Sequence, residues 1–181
     1  MEFNYEFEGI YVLAFISFVV MMLTSLFDRK LNKKEILEFQ KNRPPYLMID
    51  YATEILPGKY ANGYKELKND EWFFKPHFEG DPNMPGMLQI EALSQMSALS
   101  ILTLPGNKGK VMYITSADSL KFFKKVKPNS IFNIETEVLS YKRGIALCKC
   151  QGKIDNEVAC KAKITLILPD EILKYNLTKK Q

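Results

Sequence analysis

The sequence predicts an α+β domain in which a curved antiparallel sheet wraps around one long apolar helix. Two observations carry this. Met87 to Leu104 is apolar on nearly every face, from Met87 and Leu88 through Ile90, Leu93, Met96 and Leu99 to Leu102, and a helix without a polar side must be enclosed. The chain after it supplies long segments that alternate apolar and polar residues, which is material able to enclose it. The length of 181 residues suits one domain with a full core. A composition of 46% hydrophobic and 25% charged residues excludes a disordered polymer. Net charge is +4, from 25 basic and 21 acidic residues, too small to imply nucleic-acid binding. Cys148, Cys150 and Cys160 are odd in number and far from the single histidine. Neither a disulfide framework nor a zinc site is indicated, and a reducing cytoplasmic compartment follows.

The elements follow in chain order. Residues 1–31 form an apolar N-terminal segment, and 32–181 the folded domain. Ile10 to Phe27 is an 18-residue run without a charge, at the lower limit for crossing a bilayer. Glu2, Glu6 and Glu8 before it and the absence of a small-residue cleavage site argue against a signal peptide. Basic residues Arg29, Lys30, Lys33 and Lys34 after it would hold the rest at the inner face of the membrane. The competing readings are an apolar helix packed on the domain or a partner chain, and a start at Met21 or Met22. Lys33 to Lys41 predicts a short helix stopped at Arg43-Pro44-Pro45. Tyr46–Ile55 and Tyr60–Leu67 predict strands joined at Pro57-Gly58, with Trp72, Phe73 and Phe74 as further strand core. The long helix opens after Pro85-Gly86 and closes at Pro105-Gly106. Strands are then predicted over Lys110–Ser116, Ile131–Tyr141, Ile145–Ile154 and Glu157–Leu168, the last two joined by a two-residue turn at Asp155-Asn156.

Chemistry concentrates in FFKPHFEGDPNMPGMLQIEALSQ, residues 73–95. His77 lies in a Pro/Gly-rich loop rather than on an apolar stripe. Glu91 interrupts the buried helix, where an ionised carboxylate is costly unless paired or protonated. Gly86 offers a free backbone N–H at the helix N-terminus, where the dipole favours negative charge. Five residues separate Gly86 from Glu91, about 7.5 Å of helix at about 1.5 Å per residue. A base, an acid and an oxyanion donor so placed suit proton transfer beside a carbonyl. The plainer alternatives stay open on spacing alone: a solvated loop histidine, and a glutamate serving as a structural hydrogen-bonding partner.

HFEGDPNMPGMLQIEALSQ resembles the signature of β-hydroxyacyl-acyl carrier protein dehydratases of the FabZ type. Arg43 to Asp50, Pro57-Gly58-Lys59, Ser119 to Pro128, Arg143-Gly144-Ile145 and Val158 to Leu168 extend the likeness over residues 33 to 168. The resemblance implies the hotdog fold and a homodimer with shared active sites, assembled further as a trimer of dimers. It assigns His77 and Glu91 as the catalytic pair, one from each subunit, and the Gly86 N–H as the carbonyl-binding donor. It implies loss of water from a 3-hydroxyacyl thioester to give the trans-2-enoyl thioester, in fatty-acid or related lipid biosynthesis. No metal or redox cofactor is implied, the substrate riding on the phosphopantetheine of an acyl carrier protein. Two positions depart from the family pattern: Pro76 stands where glycine usually precedes the histidine, and Glu79 where proline usually follows the phenylalanine. A related bifunctional branch carries aspartate where Glu91 stands, so glutamate implies dehydration without double-bond isomerisation.

Lys121, Lys124, Lys125 and Lys127, with Lys142 and Arg143, form a candidate docking patch for the acidic carrier protein, against the plain reading of a solvated basic face. Phe122 and Phe123 between the lysines are expected to face the core, which disfavours nucleic acid. Two other functions remain in view: a hotdog thioesterase, and a catalytically silent module that binds acyl carriers. Membrane association would come from residues 10–27.

Overall fold

The computed structural model describes residues 29–178. The apolar run 10–27 lies outside the described residues, and no helix among those described is long and apolar enough to cross a membrane. The elements are β1 (Arg29–Asn32), α1 (Lys33–Phe39), β2 (Tyr51–Leu56), β3 (Tyr60–Leu67), α2 (Gly86–Leu102), β4 (Tyr113–Phe122), β5 (Ser130–Lys142), β6 (Ile145–Ile154), β7 (Glu157–Ile167) and α3 (Pro169–Thr178). The strands make one antiparallel sheet in the order β1-β2-β3-β5-β6-β7-β4. The sheet rolls around α2, which packs against β2, β3, β5, β6 and β7. This is the hotdog arrangement.

Alternation along each strand produces the roll. Phe132 and Ile134 of β5, Cys148 and Cys150 of β6, and Ala162 and Ile164 of β7 are buried toward α2, while the residues between them face outward. The two-residue turn at Asp155-Asn156 has positive φ at both positions, as expected of a tight hairpin. The Gly58 N–H donates to Ser100 O at 2.7 Å, tying the β2–β3 turn to the last turn of α2.

Several boundaries differ from the sequence expectation. The first strand was expected from Tyr46 but begins at Tyr51. Leu47, Met48 and Ile49 are all buried, and the Met48 N–H bonds to Gln95 of α2 instead of a neighbouring strand. The strand expected over Lys110–Ser116 is shifted to Tyr113–Phe122. Its register breaks between Asp118 and Lys121, with Ser119 at φ 52°, and that bulge hides the alternation. Trp72, Phe73 and Phe74 lie in turns, not in a strand. Phe73 and Phe74 enter the core, whereas Trp72 is 48% exposed and donates from Nε1 to Pro45 O. Phe122 and Phe123, expected to face inward, are 47% and 56% exposed.

The domain boundary also moves. Arg29–Asn32 pairs with β2, Leu31 is buried, and Asn32 caps α1. Its side-chain oxygen accepts from Glu35 N at 3.1 Å while Glu35 Oε2 accepts from Asn32 N at 2.8 Å, a reciprocal cap. Residues 29–31 therefore belong to the sheet, through their pairing with β2. Two truncations test this by thermal unfolding. Deleting residues 1–28 is expected to leave the domain folded, since every described element follows them. Deleting residues 1–32 is expected to cost about 2–4 kcal/mol, the sum of one buried aliphatic side chain and one helix cap.

Candidate active site

Helix α2 is buried along its whole length except at Gly86, Met87 and Glu91. Glu91 is thus the one opening past the first two residues. Its Oε1 accepts from Gln95 Nε2 at 2.7 Å and from Asn42 Nδ2 at 3.3 Å. Gln95 is held in turn: Nε2 also donates to Tyr46 O at 2.9 Å, and Oε1 accepts from Met48 N at 2.8 Å. Tyr46 to Met48, which form no strand, thus hold that glutamine through one main-chain acceptor and one main-chain donor. Burial, and behind it the charge of Glu91, pushes the Tyr46 phenol above its ordinary pKa.

Glu91 opens into a cleft of about 400 Å³ that follows α2 through Ser94, Gln95, Ala98 and Leu102, facing Val111 to Ile114. Five helix residues at helical spacing, Glu91, Ser94, Gln95, Ala98 and Leu102, line one wall, and Gln40, Lys41, Asn42 and Lys110 also line the cleft. It has room for a flexible acyl chain running along the helix.

Gly86 faces elsewhere. A Cβ at Gly86 would stand 2.7 Å from the Phe122 ring, so only glycine lets that ring close over the helix start. Pro85 O accepts from Leu88 N and Gln89 N, which leaves the Gly86 and Met87 amides ahead of the helical ladder. Gly86 borders a second cleft of about 450 Å³, lined also by Asn83, Gln89, Phe122, Phe123 and Lys125 among others. The sequence spacing gave the rise between Gly86 and Glu91 and not the rotation. Five residues turn the helix about 140° at about 3.6 residues per turn, so the two groups of one chain look into different clefts.

His77 sits half-buried at the end of a series of turns: Phe74 N donates to Glu71 O, and His77 N to Phe74 O. Glu71 is clamped by the buried Lys65 at 2.6 Å, and Lys125 pairs with Asp81 on the far side of the loop. The His77 ring stacks on Phe78 with centroids 4.1 Å apart. Its Nδ1 lies 2.9 Å from Asn83 O and 3.3 Å from Asn83 Nδ2. A carbonyl can only accept, so the shorter contact puts the hydrogen on Nδ1 and leaves the Nε2 lone pair free to take a proton. Pro76 and Glu79, the two departures from the family pattern, are exposed on this loop.

The basic residues singled out in the sequence do not form one patch. Lys124 is paired with Glu157 at 2.6 Å, and Lys125 with Asp81. Lys121 on β4 aligns with Lys161 of β7, Gln151 of β6 and Glu135 of β5. Lys142 aligns with Ile145 and Ile167 at the other end of the sheet, seven residues along β5 from Glu135, or about 23 Å at about 3.3 Å per residue. The Arg143 guanidinium lies over the Tyr175 ring at 4.3 Å. Lys127 is exposed beside the Lys125–Asp81 pair. The cysteines stay inert. Burial pushes Cys148 and Cys160 up to about 11 and Cys150 to about 12.

Sequence reasoning did not assign roles to Gln95, Asn42 or Asn83. The four-residue spacing of Glu91 and Gln95 was a usable signal for the first. No signal was available for Asn42 and Asn83, which reach their partners through tertiary folding and loop shape. Gln95→Leu is expected to lower stability by about 2 kcal/mol, because the Met48 N–H and Tyr46 carbonyl lose a buried partner. It is also expected to lower kcat about tenfold by freeing Glu91. Thermal melts with initial rates check both.

Known proteins bear on this geometry. A family described as a FabA-like domain matches residues 41–163. A 3-hydroxyacyl-[acyl-carrier-protein] dehydratase FabZ from Bacillus licheniformis is 38% identical over 141 residues, 78% of this chain and 98% of that protein. The protein of the same name from Clostridium novyi is 39% identical over 131 residues, 72% of this chain and 92% of its own. Among solved structures, the dehydratase heterocomplex ApeI:P from Xenorhabdus doucetiae superposes with a TM-score of 0.65 at 10% identity, over 77% of this chain and 95% of that one. That likeness concerns the fold. Sequence identity, span and architecture agree, and the chain belongs to the FabA-like family.

Proposed function

We propose that this chain is a 3-hydroxyacyl-[acyl-carrier-protein] dehydratase, a hydro-lyase of fatty-acid or related lipid biosynthesis. The observation that carries the reading is Glu91, the single break in the burial of α2 beyond its first two residues, held by Gln95 in a cleft that runs along the helix past Ser94, Ala98 and Leu102. The names of the relatives support it. In the reaction, the substrate thioester carbonyl accepts from the Gly86 N–H, where the helix dipole favours the enolate-like oxygen. His77 Nε2 takes the C2 proton, and the electron pair forms the C2–C3 double bond. The C3–O bond breaks, and Glu91 gives its proton to the departing hydroxyl, so the products are water and the trans-2-enoyl thioester. The sum is redox-neutral and calls for neither a metal nor a redox cofactor. The substrate is delivered by acyl carrier protein, in the cytoplasm, with attachment to the inner membrane face through residues 10–27.

The site is shared between two copies in this reading. Within one chain Glu91 and Gly86 face separate clefts, and the Glu91 cleft is walled by Tyr113 and Ile114 at the start of β4. β4 is an edge strand whose Tyr113, Ile114 and Phe122 are exposed. A ten-residue edge strand with exposed main-chain groups is a template for pairing, and edge-to-edge pairing about a twofold axis would bring a second copy's loop to Glu91.

Hydration of a crotonyl thioester tests the activity. Loss of the enoyl absorbance without release of free thiol is the expected result. Thiol release would make the chain a thioesterase, and no change at all would make it a silent carrier-binding module.

A further inference from the structure

Among the described residues Lys65 of β3 is the one charged residue that is buried, its side chain 4% exposed. It lies on the inner face of the strand, where Ala61, Gly63, Lys65 and Leu67 alternate as buried positions. Its neighbour across the ladder is the buried Phe132 of β5. An ammonium in such surroundings is costly unless paired, and an apolar side chain of similar length would fill the same space. Two carboxylates meet it: Glu71 Oε1 lies 2.6 Å from Lys65 Nζ, and Asp50 Oδ2 lies at 3.6 Å. Asp50 is itself fixed, since its Oδ2 also accepts from Glu66 N at 3.1 Å and its Oδ1 from Lys33 Nζ at 2.5 Å. Charges therefore alternate from Lys33 at the start of α1 through Asp50 and Lys65 to Glu71 in the loop beyond β3.

That loop leads to His77. Three turns step along it: Glu71 N donates to Lys68 O at 3.2 Å, Phe74 N to Glu71 O at 3.0 Å, and His77 N to Phe74 O at 3.3 Å. On the other side, His77 O accepts from Asn83 N at 2.9 Å, and the ring Nδ1 meets Asn83 O. Of the residues from Lys68 to His77, Glu71 alone has an ion pair within 4.0 Å, and that pair ties it to the sheet. Each turn hangs on the carbonyl before it, so a shift of the Glu71 main chain moves Phe74 and then His77.

We propose that Lys65 is a positioning residue for His77. By pinning the Glu71 carboxylate it sets the loop so that the imidazole Nδ1–H meets Asn83 O and Nε2 is presented to the substrate. The effect on rate rests on the function proposed above; the effect on the ring does not. A buried ion pair adds little stability over apolar side chains of the same volume, whereas its short, charge-assisted hydrogen bond is directional and fixes one geometry. A displacement of about 1 Å in a reacting group costs about a hundredfold in rate. A contact of small stabilising value thereby has a large hold on kcat.

The test uses the full chain and its single histidine, whose ring-nitrogen NMR signals report the His77 tautomer without overlap. Lys65→Met with Glu71→Leu replaces the ion pair by apolar side chains. This double variant is expected to melt within about 4 °C of wild type. Its kcat on a crotonyl thioester should fall about tenfold or more with KM unchanged, and its ring signals should show mixed tautomers in place of the Nδ1–H form. Glu71→Gln, which keeps an oxygen at the ammonium, is the conservative rescue and should recover the wild-type tautomer and most of kcat. A merely structural pair would lower Tm and kcat together and leave the tautomer of the folded protein unchanged, and that result overturns the proposal. So does a double variant with wild-type kcat and tautomer. If the double variant does not fold, Glu71→Ala, which leaves Lys65 beside Asp50, is read in the same way. If the wild type turns over no thioester, the proposed function fails on its own, and the tautomer comparison still decides whether Lys65 sets the ring.

Discussion

Replacing His77 with alanine is expected to lower kcat by about a hundredfold or more, and Glu91→Gln by a similar factor, since a positioned general acid or base contributes about 10²–10⁴. KM should change little, because both groups act on protons that move only in the transition state. The variants are expected to fold. His77 is half-buried on a loop fixed by other contacts, among them the Lys65–Glu71 clamp and the burial of Phe73 and Phe74. Glutamine at position 91 keeps an oxygen for Gln95 to donate to. The two changes should also differ in pH response: loss of the base flattens the acid limb of the rate profile, and loss of the acid flattens the alkaline limb. Mixing provides a sharper measurement. If each site takes its histidine from one copy and its glutamate from the other, a heterodimer of His77→Ala and Glu91→Gln subunits regains one intact site. Random re-pairing then restores about a quarter of wild-type activity. Failure of the mixture to recover, with heterodimers demonstrated by mass, would place the pair within one chain. Near-wild-type rates in both folded variants would end the mechanism.

Gly63→Ala is expected to be the most damaging single methyl in the fold, lowering stability by about 3 kcal/mol or more. Gly63 lies on β3 opposite Ala52, where β2 changes register before Glu54. The extra residue bows the β2 backbone inward, and a Cβ at Gly63 would stand 2.1 Å from Tyr51 O and 2.8 Å from Ala52 Cα, with Met96 Cε at 2.6 Å. Two of those three atoms are backbone and cannot rotate away. The stacked Tyr51 and Tyr64 rings, 5.7 Å apart, hold the two strands together on the other face. For a domain of this size the loss corresponds to a fall in Tm of about 6–12 °C. A melt within about 2 °C of wild type would mean that the bulge can open without cost, contrary to a tightly packed sheet.

Local rules were enough for much of this molecule. The all-round apolar character of Met87 to Leu102 declared a central helix, because such a helix has nowhere to go but inside. Alternation along β5, β6 and β7 declared the sheet that encloses it, and Asp155-Asn156 declared the hairpin. His77, Gly86 and Glu91 drew attention by their chemistry in context: the single histidine, an amide at a helix start and a carboxylate amid apolar residues. What failed were inferences that needed a direction in space. Axial rise placed Glu91 near Gly86, but rotation about α2 turned them to different clefts. The apolarity of Phe122 and Phe123 predicts inward-facing rings, yet Phe122 ends the edge strand β4 and Phe123 follows it, and both are exposed. The basic cluster was drawn from neighbours in sequence, whereas strand register set Lys121 against Lys161 and left Lys142 at the other end of the sheet. Sequence by itself determined which segments must be buried, because burial depends on local composition and period. Only the tertiary structure decided which exposed groups share a surface, because that depends on strand order, register and helix rotation.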